Sequence, residues 1–458
     1  MKPSLPKGTR DFSSTQVAKR NYLKSVLQNA FEKAGYQPIE TPSFEKSETL
    51  LGKYGDEGDR LIFKLLSNGE KLKKADLTAL KENRLSAFSN SLSEKALRYD
   101  LTVPFARFVV QHQNDLVFPF KRYQIQPVWR ADRPQHGRFQ EFFQCDADVV
   151  GSTSLWQEVE LCQLYATVFT ALGIHGATLK INNRKILAGI AECMGVKDQL
   201  IDFTIALDKL DKIGFEAVVE ELKSKNFSLT AIDQLRPLMA LAGSAQDRLS
   251  QLESFLADSE IGQKGVEEVR FVITQLESLG HANLNLSVDV TLARGLNYYT
   301  GCIFEVAPPS GIKMGSIGGG GRYDNLTTDF GMKNMSGVGI SFGFDRIYLV
   351  LEELDLFPAS VENKTQVLFL NFGPSTALKS NALIAALREV NIRAEFYPDE
   401  VKIKKQLSYA NQKSIPWVVL IGDEEVARNQ CVLKAMATGD QHAYDFSKLV
   451  TVLQEKCS

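Results

Sequence analysis

Arginine and tyrosine side chains adjoin in one short, glycine-bounded segment of this chain. The segment runs from Leu292 to Gly301 and contains Arg294, Tyr298 and Tyr299. An arginine supplies a permanent cation with a planar fork of donors, which suits phosphate or carboxylate. A tyrosine adds a flat face and one hydroxyl. The segment therefore predicts a site for an anion beside a small polar ring; the alternative is a structural arginine next to two core tyrosines.

A second pair of arginines flanks a predicted hairpin. Residues 117–151 alternate apolar and polar side chains, which predicts two antiparallel strands joined by a loop at 133–137. Arg130 and Arg138 stand on either side of that loop, and strand geometry can direct both to one face. Convergent arginines call for an anionic partner, and the phosphates of ATP would fit. The alternative is an Arg–Glu pair on the surface of a sheet.

Two glycine-rich segments could bring a ligand close to the backbone. Residues 337–343 have the spacing GxGxxxG, which misses the dinucleotide fingerprint and predicts a strand open to a ligand. Arg346 follows at the start of a predicted helix, where backbone N–H groups favour anions. The four glycines at 318–321 indicate either a flexible linker or close approach of a ligand. No Walker A pattern is present, so ATP would bind without a P-loop.

A carboxylate and a hydroxyl stand two positions apart at Asp100 and Thr102. In an extended segment they would share a face, and together they could hold a substrate ammonium group. The alternative is the N-terminus of a helix, because Asp and Thr are common caps. Without further context the pattern favours the cap.

Composition narrows the class of protein. The 458 residues, 44% hydrophobic and 24% charged, predict two or three globular domains. The net charge of -2 argues against an extended basic tail, although a local basic patch would be enough for nucleic acid. Six cysteines without CxxC spacing indicate free thiols in a reducing compartment, and the five histidines show no metal-ligand spacing. Without a signal peptide or an 18-residue apolar run, we expect a cytoplasmic protein that has no membrane segment and no structural metal.

Hydrophobic spacing predicts the elements that surround these groups. A helix should begin after Ser13 and stop at Gly35, and another should span 155–173. Residues 61–66 run into Ser67-Asn68-Gly69, which is typical of a hairpin turn. Residues 70–96 are rich in Lys, Ser and Asn and indicate an exposed excursion.

The predicted secondary structure changes twice in the rest of the chain. Residues 184–283 are helical and charged and lie between strand-rich regions, which predicts an inserted helical domain. A polar joint at 360–364 precedes strands that alternate with helices, and this βαβ rhythm predicts an α/β domain. Three domains are predicted. Residues 1–183 and 284–359 together form a core, residues 184–283 form the helical insertion, and residues 364–458 form the C-terminal domain.

In this order, the motifs resemble those of class II aminoacyl-tRNA synthetases, and specifically the histidyl-tRNA synthetases, over nearly the whole chain. The matching segments are Lys7–Phe12, the N-terminal signature; Glu40–Pro42, motif 1; Arg130–Phe142, motif 2; Leu292–Gly301, the histidyl-specific motif; Gly318–Asp324; and Gly339–Arg346, motif 3. Asp132 stands where class II enzymes often have Glu, so the acidic character is kept. The resemblance implies an α+β catalytic core on a mixed, mainly antiparallel sheet, with a helical insertion and a C-terminal α/β domain.

The resemblance also implies a set of site residues. The histidine site would comprise Asp100, Leu101, Thr102, Arg130, Gln144, Asp148, Arg294, Tyr298 and Tyr299. The ATP site would comprise Arg130, Asp132, Arg138, Phe142 and Arg346. The catalytic residues would be Arg130, which bridges the histidine carboxylate and the α-phosphate, and Arg294, which takes at that phosphate the role related synthetases give to a metal ion. No protein side chains would hold a metal, and Mg²⁺ would come with ATP.

The implied reaction joins histidine to tRNA(His). The histidine carboxylate would attack the α-phosphorus of ATP and release pyrophosphate, so fixed cations matter more than a protein nucleophile. The terminal ribose hydroxyl of the tRNA would then attack the adenylate.

The implied partners are L-histidine, ATP, tRNA(His) and a second copy of the chain. The second copy would pack on motif 1 with Pro42 to form a homodimer. Residues 364–458 would bind the anticodon, and the basic stretch Lys402–Lys405 there indicates either phosphate contacts or a solvated helix face. The alternatives are a non-catalytic histidine-binding paralogue, such as the regulatory subunit of ATP phosphoribosyltransferase, another class II synthetase, or a tRNA-binding sensor.

Overall fold

The computed structural model describes residues 2–207, 209–280, 283–293, 298–361 and 365–457. The chain divides into two compact units, residues 1–358 and 359–458. The finer division of the first unit at 183/184 and 283/284 stays a prediction. No helix in the described ranges is long and apolar enough to cross a membrane.

The first unit contains both strands and helices. Its strands are β1 (Gln37–Pro38), β2 (Phe44–Lys46), β3 (Lys64–Leu65), β4 (Lys95–Leu97), β5 (Phe120–Trp129), β6 (Glu141–Val150), β7 (Ala177–Asn183), β8 (Leu284–Val288), β9 (Cys302–Ala307), β10 (Gly318–Tyr323) and β11 (Gly337–Phe342). Its helices are α1 (Ser14–Lys33), α2 (Ser47–Leu50), α3 (Gly55–Arg60), α4 (Leu77–Lys81), α5 (Leu85–Ser91), α6 (Thr102–Gln111), α7 (Trp156–Ala171), α8 (Arg184–Cys193), α9 (Leu200–Leu207), α10 (Leu210–Ile213), α11 (Phe215–Ser224), α12 (Leu229–Asp233), α13 (Leu235–Met239), α14 (Ala245–Phe255), α15 (Glu260–Leu279) and α16 (Phe344–Glu353). Short 3₁₀ helices lie at Gly69–Lys74, Lys197–Gln199 and Leu326–Phe330.

One large sheet organises this unit. Among the described residues it has eight strands in the order β1-β5-β6-β11-β10-β9-β7-β8. The end pairs β1–β5 and β7–β8 are parallel, whereas the pairs between them are antiparallel. The predicted α+β core on a mixed, mainly antiparallel sheet is therefore confirmed.

Helices α1 and α7 cover one face of this sheet. Phe31 of α1 and Tyr165 of α7 both pack on Phe342 of β11, and the three side chains are buried. Because neighbouring strand residues point to opposite faces, Ser341 and the residues level with it project the other way. That opposite face carries the polar side chains described below.

The predicted first helix is confirmed and has a clear start. Ser13 caps α1, and its hydroxyl and the Gln16 side chain satisfy each other's backbone N–H groups in a capping box. Gly35 follows the last turn with φ +81°, a conformation that favours glycine.

The predicted hairpin at Ser67–Gly69 is wrong. Strand β3 pairs with β4, which lies some thirty residues later in the sequence, and the 3₁₀ helix, α4 and α5 occupy the excursion between them. The residues after Gly69 are lysine-rich and do not alternate apolar with polar, so no second strand could follow the turn. The excursion itself is largely exposed, as predicted.

Helices fill residues 184–279 in the described part of the chain, as predicted. The longest, α15, begins at the Ser259 cap and ends at Gly280, which adopts the left-handed conformation. It packs closely on α8: a Cβ at Gly189 would lie 2.5 Å from the Cα of Gly262.

The second unit is a mixed α/β layer structure, as predicted. Its strands are β12 (Val367–Phe369), β13 (Ala394–Phe396), β14 (Trp417–Leu420), β15 (Gln430–Ala435) and β16 (Gln441–Asp445). Its helices are α17 (Pro374–Glu389), α18 (Ile403–Gln412), α19 (Asp423–Ala427) and α20 (Phe446–Cys457). A 3₁₀ turn lies at Ala359–Val361. The sheet order is β13-β12-β14-β15-β16, with β12 parallel to both neighbours. Val367 and Phe369 pack in one buried cluster, whereas Leu368 packs in another, so both faces of the sheet are covered.

Candidate active site

A cavity of about 470 Å³ opens on the polar face of the large sheet. Strands β6, β10 and β11 form its floor, and the β5–β6 hairpin forms part of its rim. Carboxylates Asp100, Asp146 and Asp148 line one part, the carboxylate half. Guanidinium groups of Arg130, Arg138 and Arg346 line the other, the arginine half, together with two carboxylates that are already paired with arginines, Asp132 and Asp345.

Alternation along β6 places its functional side chains. Gln144, Asp146 and Asp148 line the cavity, whereas Cys145 and Ala147 between them are buried in the core behind the sheet. A period of two puts every second residue on one face. Asp146 was missed in the sequence analysis, although this alternation with the residues on either side of it could have found it.

Neighbouring side chains fix the position of the Asp148 carboxylate. Its Oδ1 accepts a hydrogen bond from the Tyr323 hydroxyl at 2.6 Å, and its Oδ2 lies 2.7 Å from Nη2 of Arg122. The arginine contact has the distance of an ion pair but not the angle of a hydrogen bond. Below it is Gly339, where a Cβ would lie 1.9 Å from Asp148 Oδ1. The strand glycine thus allows the carboxylate to lie against the backbone of β11.

Burial changes the acidity of these carboxyl groups. It raises the pKa of Asp148, while Arg122 and the Tyr323 hydroxyl act to lower it. Burial also raises the pKa of Asp146 to about 7; Arg122 acts against this rise and Asp148 adds to it. Because two acids lie side by side over one buried arginine, the carboxylate half favours binding of a group that donates hydrogen bonds.

The Asp100 carboxylate contacts the start of α6 through one oxygen and lines the cavity. Its Oδ1 accepts hydrogen bonds from the Tyr54 hydroxyl at 2.7 Å and from the backbone N–H of Val103 at 3.2 Å. The second contact satisfies the first turn of α6, so the carboxylate does serve the helix start. Its Oδ2 is buried and has no hydrogen-bond partner among the described residues. Burial raises the pKa of Asp100 and raises that of Tyr54 well above its usual range.

Thr102 begins α6 and lines the cavity, whereas Leu101 is buried and does not line it. Tyr298 forms a side-chain hydrogen bond with Thr102, and burial raises the pKa of this tyrosine well above its usual range. The rings of Tyr298 and Tyr299 meet edge to face with centroids 4.8 Å apart. A Cβ at Gly321 would lie 2.8 Å from the Tyr299 ring, so this glycine gives the ring room.

Arg130 stands at the junction of the two halves. Its Nε donates to the carbonyl of Tyr99 at 3.0 Å, and its Nη2 donates to Oε1 of Gln144 at 3.4 Å. The guanidinium lies 4.3 Å from the ring centroid of Tyr99 and 5.2 Å from that of Phe142. Flat contacts of this kind hold an arginine without neutralising it.

The other two arginines are held from the hairpin and from a neighbouring loop. Arg138 Nη2 donates to Asp132 Oδ1 at 2.7 Å. Arg346, in the first turn of α16, donates from Nε to the carbonyl of Gly137 at 3.0 Å and from Nη1 to that of Ser316 at 2.6 Å.

The cavity brings together most of the residues predicted for the site. Lining it are Asp100, Thr102, Arg130, Asp132, Arg138, Phe142, Gln144, Asp148, Tyr298, Tyr299 and Arg346. Arg294, predicted to be catalytic, lies outside the described residues. Within the described residues, no group of three or more His, Cys, Asp or Glu side chains is arranged to hold a metal ion.

Comparison with known proteins places the chain in a family. Residues 8–80 and 81–347 match the family model described as histidyl-tRNA synthetase. The chain belongs to the histidyl-tRNA synthetase family. Residues 366–456 match the model described as anticodon binding domain.

Individual relatives of this synthetase family agree over the full length. The histidine–tRNA ligase of Christiangramia forsetii is 60% identical over 453 residues, which cover 99% of each chain. The crystal structure of histidyl-tRNA synthetase from Nostoc sp. PCC 7120 is 28% identical, covers 100% of both chains and has a TM-score of 0.80. A Bacillus halodurans structure, titled as an ATP phosphoribosyltransferase regulatory subunit/histidyl-tRNA synthetase, has a TM-score of 0.71 at 20% identity and shows a common fold alone.

Proposed function

We propose that this member of the histidyl-tRNA synthetase family is an active histidine–tRNA ligase. It would activate L-histidine with ATP to histidyl-adenylate, release pyrophosphate, and transfer the histidyl group to the 3′ end of tRNA(His). The observation that carries the proposal is the divided cavity, in which buried carboxylates face three arginines. A small molecule with an ammonium group, an N–H-bearing ring and a carboxylate matches that division of charge.

The carboxylate half suits the polar groups of histidine. Asp100 Oδ2, which has no hydrogen-bond partner among the described residues, would accept a hydrogen bond from the α-ammonium group, with the Thr102 hydroxyl beside it. Asp148 would accept from a ring N–H, because Arg122 and Tyr323 hold its carboxylate in one orientation. A site built to hydrogen-bond a substrate ring rejects analogues that lack those donors by roughly ten-thousandfold or more.

The arginine half suits the phosphates of ATP. Arg130 would contact the histidine carboxylate and the α-phosphate together, because it lies beside Gln144 at the junction of the halves. Arg138 and Arg346 would contact the outer phosphates, and Phe142 offers a ring face to the adenine. Positive groups fixed before the reaction stabilise the charge that builds on phosphate oxygens. Mg²⁺ would accompany ATP as part of the substrate, and Arg294 stays a proposed partner of the α-phosphate.

Histidine-dependent ATP–pyrophosphate exchange tests this function. We expect exchange with histidine alone among the standard amino acids. Comparable exchange with proline, threonine or glycine, or no exchange with histidine, would overturn the proposal. The non-catalytic paralogue is not favoured, because the arginine set lines the cavity and the chain is 60% identical to a histidine–tRNA ligase over its full length.

The second unit would bind the anticodon of tRNA(His). Its match to the anticodon binding domain supports this role, and Lys402, Lys404 and Lys405 are exposed at the start of α18. Removing residues 359–458 should spare exchange, which needs only ATP and histidine, and should severely weaken tRNA charging. Charging by the full chain should also fall steeply with salt, because phosphate contacts release counterions. Unchanged charging by the truncated protein would rule out this role.

We also propose a homodimer that packs on motif 1 around Pro42, and the cytoplasm as the compartment. The free cysteines fit a reducing environment. Light scattering should give about twice the chain mass of 51.0 kDa. A stable and fully active monomer would contradict the dimer.

A further inference from the structure

The buried carboxylate of Asp345 joins three separate parts of the first unit. Its Oδ1 accepts from Nη2 of Arg10 and from Nη1 of Arg20, each at 2.6 Å. Its Oδ2 accepts from the backbone N–H of Phe143 on β6 at 3.0 Å. Arg10 belongs to the segment before α1, Arg20 to α1, and Asp345 to the first turn of α16. We call Arg10, Arg20 and Asp345 the Asp345 clamp.

Aromatic rings pack against both guanidinium groups of the clamp. The Arg10 guanidinium lies 3.3 Å from the ring centroid of Phe139 and 4.9 Å from that of Phe12. The Arg20 guanidinium lies 4.2 Å from the Phe12 centroid. The Asp345 side chain is only 5% exposed and that of Arg20 only 10%. Charge-assisted hydrogen bonds in such surroundings are stronger than those on a wetted surface.

The backbone before Arg10 packs against the β5–β6 hairpin, which contains motif 2. The carbonyl of Gly8 accepts from the backbone N–H of Gln140 at 2.9 Å. Gly8 has φ +81°, and a Cβ there would lie 2.6 Å from the Gln140 side chain and 3.0 Å from Pro134. The Gln140 side chain in turn donates to the carbonyl of Asp132 at 2.9 Å. The N-terminal segment therefore lies directly on the hairpin that carries the arginine half.

The two points that the clamp fixes, Asp345 and Phe143, themselves line the cavity and adjoin other cavity residues. Asp345 is bonded in sequence to Arg346, and Phe143 lies between Phe142 and Gln144 on β6. Arg10 itself does not line the cavity. It can therefore affect a bound nucleotide only through the groups that it holds.

We propose that Arg10 is a positioning residue for ATP, which acts with Arg20 through Asp345 to hold Arg346 and the β6 backbone at Phe143 in place. The N-terminal signature thus serves the nucleotide and not the amino acid. This inference rests on the proposed function for its substrate, and it assigns a role to a segment that the site residues did not include.

The test compares Arg10→Gln with Arg10→Lys and a matched control in the full chain. Arg107→Gln is the control, because Arg107 and Glu45 form an ion pair of similar burial, with side chains 21% and 8% exposed, against 25% and 5% for Arg10 and Asp345. A lost hydrogen bond to a buried charge typically changes an equilibrium by roughly ten- to a hundredfold. We expect Arg10→Gln to raise the KM for ATP about tenfold while the KM for histidine stays within about twofold. Arg10→Lys should recover part of the loss, and Arg107→Gln should leave both constants unchanged.

A binding measurement separates this inference from the proposed function. Mg–ATP should raise the Tm of the wild-type chain and raise that of Arg10→Gln clearly less, whether or not histidine supports exchange. Equal increases in the two KM values, an equal effect of Arg107→Gln, or an undiminished rise in Tm on adding ATP would each overturn the positioning role. If Arg10→Gln fails to fold, the same comparison made with Arg10→Lys decides the question. Absence of exchange in the wild type would overturn only the ligase function.

Discussion

The two halves of the cavity hold their charged groups by opposite means. In the carboxylate half, Asp100 and Asp148 are each 2% exposed and each accepts a hydrogen bond from a buried tyrosine hydroxyl. In the arginine half, Arg130 and Arg346 each donate a hydrogen bond to a backbone carbonyl, and the Arg138 side chain is 47% exposed. Under the proposed function, the first arrangement would fit one small ligand, whereas the second would present positive charge to the phosphates of ATP. The stability of the fold and the selectivity for the amino acid should therefore depend on the carboxylate half. The rate of pyrophosphate exchange should depend on the arginine half.

The strongest test of this difference between the two halves is to remove Arg122, the buried cation next to Asp148. Arg122 is fully buried and approaches that carboxylate at 2.7 Å. Removing one partner of a buried ion pair leaves the other uncompensated and costs about 3–5 kcal/mol. Arg122→Met should lower the free energy of unfolding by that amount in urea titrations. The double variant with Asp148→Asn should recover part of the loss, and a cost below about 1 kcal/mol would contradict the proposed dependence of stability on this half.

Removing Arg130 should reduce the rate of exchange strongly and the stability of the fold only slightly. The loss of one fixed donor to transition-state charge costs about a hundred- to a thousandfold in rate. Arg130→Ala should lose that much pyrophosphate exchange and keep most of its unfolding free energy, because the side chain is only half-buried. Arg133→Ala is the control, since Arg133 is exposed in the same hairpin and does not line the cavity. A large loss of stability without loss of rate would reverse the comparison.

The pH dependence of the unfolding free energy tests the protonation of Asp146 in the carboxylate half. Burial raises the pKa of Asp146 to about 7, so the folded chain keeps a proton there that the unfolded chain has already released. This group's contribution to stability is present near pH 6 and is lost as the pH rises through 7. Between pH 6 and pH 8 the loss should be about 1.4 kcal/mol. Asp146→Asn should lack this slope in urea titrations at the two pH values, whereas an unchanged slope would exclude Asp146 as its source.

The smallest expected effect concerns Gly339. An alanine Cβ there would lie 1.9 Å from Asp148 Oδ1, so the carboxylate would have to move. Gly339→Ala should raise the KM for histidine by about tenfold, roughly the value of one hydrogen bond to a charged group. The KM for ATP is the internal control and should stay within about twofold. A selective increase in the KM for ATP would show that the halves are not separate.

Several elements of the site were predictable from local pattern. The β5–β6 hairpin, the strand through Gly337 and the helix that follows it carry their periodicity in a few consecutive residues. Arg130 and Arg138 lie between the end of β5 and the start of β6, so the hairpin pattern placed them at one end of the hairpin but did not specify their orientation. The hairpin at Ser67–Gly69 failed because a turn signal does not specify which strand comes next. The roles of the individual site residues stay proposals that the variants above address.

Other parts of the site depend on partners distant in sequence. Tyr54 meets Asp100 from a separate element, and Arg122 meets Asp148 only because β5 and β6 pair in that register. From the sequence, the four glycines at 318–321 fitted either a flexible linker or close approach of a ligand; in the structure they belong to β10, between β9 and β11. A single sequence reveals neither the register nor the face that a helix covers.

By itself, the sequence determined which short segments carry the chemistry, because residue type and spacing specify the donors, acceptors and charges that a loop or strand can present. The tertiary structure decided which of these groups are buried together and what holds them. Asp345 shows the difference: its neighbour Arg346 is recognisable from the motif, but its own role appears only where Arg10, Arg20 and the β6 backbone converge on it. The strength of a charge contact depends on the water excluded around it, and that exclusion arises only when distant segments pack.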